Sequence, residues 1–128
     1  MAYARGMSNT LSESAFWILT ALAPEPLHGY AIMRAAGEAS DGRVSLKATT
    51  LYASLDRLER DHLVEIAREE VVDGRARRTY RLTEHGGAAL AREVAELEAR
   101  ARAARSRLAS TRIALTGRTA PATMVGAW

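Results

Sequence analysis

The sequence predicts a mainly α fold that carries a two-stranded β wing and a long last helix. Apolar residues recur at helical spacing in three segments between Thr10 and His62. The period then drops to two on either side of Asp73-Gly74, and a heptad pattern fills the C-terminal third.

The first helix is expected to open at Thr10, because Thr10 and Glu13 have the spacing of a capping box, whose side chains satisfy amides left unpaired at a helix start. Leu11, Ala15, Ile18, Leu19 and Leu22 form its apolar face, and Pro24-Glu25-Pro26 ends it. A second helix follows from Leu27 to Ala39, with Tyr30, Met33 and Ala36 on one face; Ser40-Asp41-Gly42 reads as a turn. The third begins near Ser45 and gathers Leu51, Leu55, Leu58 and His62 into a narrow sector that should face the core. Opposite stand Thr49, Thr50, Ala53, Asp56, Arg57 and Arg60, small or polar residues free to meet a partner.

From Leu63 onward, Val64 and Ile66 alternate with Glu65 and Ala67, and Tyr80 and Leu82 alternate with Thr79, Arg81 and Thr83, which predicts two strands. Asp73-Gly74 between them is a hairpin signal, since a type I′ turn needs positive φ at both central residues. Thr83 is a suitable cap for the last helix, in which Leu90, Val94, Leu97, Ala101, Ala104, Leu108, Thr111 and Leu115 alternate spacings of four and three. A seam of this kind needs a partner helix, and a second copy of the chain supplies one. The expected organisation is therefore a winged helix-turn-helix domain over 8–84, a dimerisation helix over 85–115 and a flexible tail over 116–128.

The bulk properties narrow the function. A chain of 128 residues has room for one core. With 48% hydrophobic and 26% charged residues it sits near globular averages. No apolar run approaches the roughly 18 residues needed to cross a bilayer, and Met1–Met7 lacks a signal-peptide core, so a cytoplasmic location without membrane contact is expected. The absence of cysteine excludes disulfides, thiolate nucleophiles and Cys-ligated zinc. His28, His62 and His85 fall in three separate elements without ligand spacing, so neither a metal nor another cofactor is expected. Without a Gly-x-Ser-x-Gly elbow or a Gly-rich phosphate loop, an enzyme is not expected either. The net charge is +3 and the pI about 9.8, set by arginine with a single lysine, Lys47. Such a balance fits a phosphate-bearing partner, and equally a GC-rich coding sequence.

The order α-α-α-β-β-α is that of a winged helix, in which the third helix enters the DNA major groove. At this point the chain resembles the PadR family of transcriptional regulators. The resemblance rests on Ile18-Leu19-Thr20-Ala21-Leu22, His28-Gly29-Tyr30, Thr50-Leu51-Tyr52 with Leu55 and Arg57-Leu58-Glu59, and Arg78-Thr79-Tyr80-Arg81-Leu82-Thr83-Glu84-His85-Gly86. It spans Leu11 to about Leu90. The chain departs from the family pattern at Thr49, Ala53, His62 and Ala67; His62 replaces a glycine, and histidine tolerates left-handed backbone well enough to end the helix there. The resemblance implies a DNA-binding repressor, dimeric through its last helix, that releases DNA on binding a small aromatic or drug-like effector.

Lys47, Thr49, Thr50, Tyr52, Ala53 and Arg57 are then the residues expected to face double-stranded DNA, with Arg75, Arg77 and Arg78 reaching phosphate or minor groove from the wing and His28 and Tyr30 touching the backbone. Glu69, Glu70 and Asp73 precede the wing arginines and would repel phosphate, so the second strand should approach DNA more closely than the first. The dimer seam is assigned to Leu90, Val94, Leu97, Ala101, Ala104 and Leu108. Arg100, Arg102, Arg105, Arg107 and Arg112 flank it, where Glu93, Glu96 and Glu98 can pair with them. Phe16 and Trp17 are adjacent and cannot both face one core, so one turns toward the dimer mate or toward an effector cavity. The alternative to DNA binding is a winged-helix module that uses the same surfaces to bind another protein.

Overall fold

In the computed structural model the backbone is described for residues 11–119 and the side chains for 11–111. The elements run α1 (Glu13–Leu22), β1 (Leu27–His28), α2 (Gly29–Ala39), α3 (Ala48–Arg60), β2 (Val64–Val72), β3 (Arg75–Leu82) and α4 (Glu84–Thr119).

The cap of α1 is Ser12, whose Oγ accepts from the Ala15 amide at 3.1 Å. The expected cap, Thr10, lies outside the described residues; extended backbone at Ser12 starts the helix there instead. Helix α3 likewise starts at Ala48, later than Ser45, with Lys47 as a cap that makes no side-chain bond.

The wing sheet has three strands, not the two expected. Leu27 and His28 leave the Pro24-Glu25-Pro26 segment extended and pair antiparallel with Tyr80 and Thr79, giving the order β1-β3-β2. Two residues are too few to show a period, yet they cover an edge of β3 that would otherwise stay unpaired. Consequently α2 starts at Gly29, and His28 caps it through Nδ1, which accepts from the Ala31 amide at 3.3 Å.

Helix α3 ends in a Schellman turn. The Leu63 amide donates to the Leu58 carbonyl at 2.9 Å and the His62 amide to Glu59 at 3.0 Å, with His62 left-handed at φ 63°. His62 therefore ends the helix as expected, but its side chain is exposed, not on the core-facing sector. The left-handed residue reverses the chain, and Leu63, buried together with Leu58, takes the inward place. Asp41 at φ 59° and Gly42 end α2 in the same way, the Gly42 amide donating to the Gly37 carbonyl at 2.8 Å.

Ile18, Leu19, Leu22, Ile32, Leu51, Leu55, Leu58, Val64 and Tyr80 form the core, so three helices and the root of the wing share one apolar centre. Each such side chain removed from water contributes about 1.5–3 kcal/mol, enough to fix which face of α3 turns outward. The hairpin turns at Asp73 (φ 53°) and Gly74 (φ 76°), the pair that the type I′ signal demands. Val72 faces Arg75 across the turn, and a bulge at Ala67 shifts the register so that Ile66 opposes Tyr80.

Thr83 caps α4, its Oγ1 accepting from the Gly86 amide at 2.9 Å and donating to the His62 carbonyl at 2.7 Å. This bond ties the helix start to the end of α3. The chain divides into two compact units between Glu93 and Val94. Within the first, Leu90 packs against the core. In the second, Leu97 and Leu108 are 41% and 60% exposed, and Ala101 and Ala104 are exposed as well. Among the described residues no helix is long and apolar enough to cross a membrane. Most of the expected tail, Trp128 included, lies outside them.

Candidate nucleic-acid interface

The core-facing leucines of α3 leave Thr49, Thr50, Tyr52, Ala53, Asp56 and Arg57 exposed along its other side. Two concavities flank this outward face. One, a groove of about 890 Å³, lies between the start of α2, the side of α3 and the wing, and brings together His28, Gly29, Tyr30, Tyr52, Asp56, Arg75, Arg77 and Arg78. The other, about 410 Å³, lies between the start of α1 and the far side of α3, with Ser12, Ser14, Thr49, Thr50, Ala53, Ser54 and Arg57 on its walls. The expected residues of α3, α2 and the wing are thus gathered on the two flanks of one helix. Lys47 stands exposed at that helix's start.

Local packing sets the groove's aromatic wall. Gly29, buried at the first position of α2, lets the Tyr52 phenol lie against the backbone. Tyr30 is 62% exposed and carries the Arg34 guanidinium 6.0 Å from its ring centroid. His28 spends Nδ1 on its capping bond, so only Nε2 is left to face the groove.

Ion pairs across the strands, and one along β2, sort the wing's charges. Glu69 holds Arg78 at 3.3 Å, Glu65 holds Arg81 at 2.7 Å and Glu70 holds Arg68 at 3.6 Å. Arg75 and Arg77 take part in no ion pair among the described residues. The acidic first strand is therefore partly neutralised by its neighbours, and two arginines near the tip keep their full donor capacity. The Glu69 carboxylate, and after it the Tyr80 hydroxyl, raises the Arg78 pKa above its ordinary value. Burial pushes the Tyr80 phenol up, with the Arg78 guanidinium opposing the rise.

Phe16 and Trp17 meet edge to face, ring centroids 5.1 Å apart and planes at 89°, and the indole Nε1 donates to Glu13 at 2.8 Å. Both are half-buried and lie outside the core cluster. Among the described residues no group of three or more His, Asp or Glu side chains is placed to hold a metal ion. Sequence reasoning set Asp56 on the outward face of α3 without giving it a part in the site. Its signal is its position four residues after Tyr52, which places both on the wing side.

The family model for the transcriptional regulator PadR-like family matches residues 18–92, more than half of the chain. The transcriptional regulator Rv3488 of Mycobacterium tuberculosis is 53% identical over 53 residues, which cover 41% of this chain and 49% of that protein. The match thus spans about half that relative's length. The crystal structure of a PadR family transcription regulator from Clostridium difficile superposes with a TM-score of 0.63 at 22% identity, over 76% of this chain and 99% of that one. Bacillus subtilis PadR, solved in complex with operator DNA, gives 0.56 at 23% identity, over 62% and 46%. At these identities the two structures establish the winged-helix fold, and the family match goes further: this chain belongs to the PadR-like family of transcriptional regulators.

Proposed function

We propose that this chain is a sequence-specific DNA-binding regulator, a ligand-responsive repressor that acts as a homodimer on a pseudo-palindromic operator. The observation that carries this reading is the exposed polar row of α3 beside a wing whose Arg75 and Arg77 lack carboxylate partners among the described residues. In it, α3 lies in the major groove, the wing arginines reach phosphate or the adjacent minor groove, and Tyr30 and His28 meet the intervening strand. That Bacillus subtilis PadR has been solved with operator DNA supports the same use of the fold. Two copies joined along Val94, Leu97, Ala101, Ala104 and Leu108 would each read one half-site, and half-sites one turn of DNA apart lie about 34 Å from centre to centre. A small aromatic effector would lie against Phe16 and Trp17, whose rings are only half-buried in the single chain.

Selection from random duplex DNA with the purified protein tests the reading. It should enrich a palindromic sequence whose affinity falls steeply with salt, as counterion release requires. Failure to enrich at low salt, or a salt-insensitive interaction, would favour a protein-binding module. Analytical ultracentrifugation of the Leu97→Glu/Leu108→Glu double variant tests the seam: monomers are expected, and a persisting dimer places the interface elsewhere.

A further inference from the structure

We infer that Asp56 reads a base, its carboxylate accepting a hydrogen bond from the exocyclic amine of a cytosine in the major groove, so that one C·G pair is fixed in each half-site. The inference rests on the DNA-binding reading above. Asp56 is exposed, and it lines the same groove as Arg75, Arg77 and Arg78. Despite that company its carboxylate forms no ion pair or hydrogen bond among the described residues. A free carboxylate on a surface that meets a polyanion is repelled by phosphate, unless it finds a hydrogen-bond donor.

The position supplies access to one. Thr49, Ala53 and Asp56 follow one stripe of α3 at helical spacing, and seven residues separate its ends by about 10.5 Å of axis, about three base-pair steps for a helix lying along the major groove. Ala53 in the middle carries only a methyl group, which lets the helix approach the base edges closely and brings Asp56 in with it.

The chemistry selects the base. An ionised carboxylate only accepts, and the major-groove edges of guanine and thymine offer it no donor. Adenine offers N6, but its N7 acceptor stands beside that amine and repels a carboxylate; the adenine edge suits an amide, which both donates and accepts. Cytosine N4 is the remaining donor: only the paired guanine's O6 stands beside it, with C5–H on the other side, whereas adenine N6 is flanked by N7 and by thymine O4.

The test is selection from random duplex DNA at one salt concentration with the full chain, its D56N variant and its D56A variant, checking each fold by thermal melting. The unaltered chain should enrich an invariant C·G pair at symmetric positions. D56A should lose the preference at that pair alone, and D56N should move it toward A·T. Both variants should bind the original operator about tenfold more weakly with an unchanged salt slope, since no phosphate contact is lost. Recovery of the original motif by both variants overturns the inference, whether affinity rises throughout, as it would if the carboxylate only repelled phosphate, or falls throughout, as it would if Asp56 only held the wing. Failure of the unaltered chain to enrich any sequence removes the DNA-binding reading itself, and this inference with it.

Discussion

The backbone of Gly29 lies against the phenol of Tyr52, so closely that a Cβ at position 29 would overlap the Tyr52 hydroxyl and come within 3.3 Å of Leu51 Cδ2. This contact couples the first residue of α2 to the outward face of α3. Gly29→Ala brings two opposed effects: a helix gains about 0.5–1 kcal/mol from alanine in place of glycine, whereas Tyr52 must swing away. The hydroxyl is the far end of a rotatable side chain, so stability should stay within about 0.5 kcal/mol of the unaltered chain. DNA affinity should fall several-fold, because the displaced phenol is the part that faces the groove. A cycle with Tyr52→Phe, measured by thermal melting and by DNA binding, should show coupling in binding. Equal affinity for Gly29→Ala and the unaltered chain would remove Tyr52 from the interface.

How much of this was written in the sequence depends on the range of the signal. The inward leucines of α3, the Asp73-Gly74 turn and the Thr83 cap each follow from a few neighbouring residues, and the structure agrees with all three; the left-handed His62 follows only from the family's glycine at that place, since the local period alone sets His62 toward the core. A type I′ turn at 73–74 also fixes the nearby register, so the pairing of Glu69 with Arg78 was within reach. The pairing of Glu65 with Arg81 was not. Without the bulge at Ala67, Arg81 would oppose Ile66, and nothing local to Ala67 announces an extra residue. Strand β1 was hidden for a similar reason, because its pairing depends on a partner more than fifty residues away. The groove beside α3 needs β1, α2 and the wing in place together, so its residues were legible as a set only through the family resemblance.

At the start of α4 the constraint is stricter than at Gly29. A Cβ on Gly86 would run into the Leu63 carbonyl oxygen, which is backbone and already accepts from the Thr83 amide at 3.1 Å. Gly86→Ala should therefore cost about 2–4 kcal/mol, read as a lower urea midpoint, because a main-chain atom cannot rotate aside. Gly87→Ala is the control. Its Cβ would meet only Leu82 Cδ2, at an ordinary 3.8 Å, so the gain in helix propensity should leave the protein as stable or slightly more so. Equal effects at the two positions would mean that the α4 start yields.

Tyr80 makes stability fall in alkali. The residue is 2% exposed, and burial raises its phenol above the ordinary value of 10.0. Below that value both folded and unfolded chains hold the proton, and the contribution is complete. As pH rises through it the unfolded chain releases the proton while the folded chain keeps it, so unfolding is increasingly favoured until the folded phenol also ionises. Urea midpoints between about pH 8 and 11 should fall more steeply for the unaltered chain than for Tyr80→Phe, which has no proton to lose. Parallel curves would show that the phenol ionises alike in both states.

The sorted charges of the wing separate three arginines that look equivalent in sequence. Arg75 and Arg77 lack a carboxylate partner among the described residues, whereas Arg78 is held by Glu69 at 3.3 Å. On the DNA-binding reading, each phosphate contact contributes about 0.9 to the slope of log affinity against log salt. Replacing both Arg75 and Arg77 with alanine should lower that slope by about 1.8 and weaken binding to every sequence alike. Arg78→Ala should lower it less, since that guanidinium shares its donors with Glu69. Glu69→Gln gives the opposite sign: it frees Arg78 and removes a negative charge from the surface that meets phosphate, so affinity should rise and the salt dependence should steepen. Surface ion pairs of this kind add little to folding, so the melting temperatures of all these variants should stay close together and the binding slopes can be compared directly. If Arg78→Ala lowers the slope as far as the double replacement does, the carboxylate of Glu69 does not restrain its partner in the complex, and the wing meets DNA through its groove-facing side at Arg78.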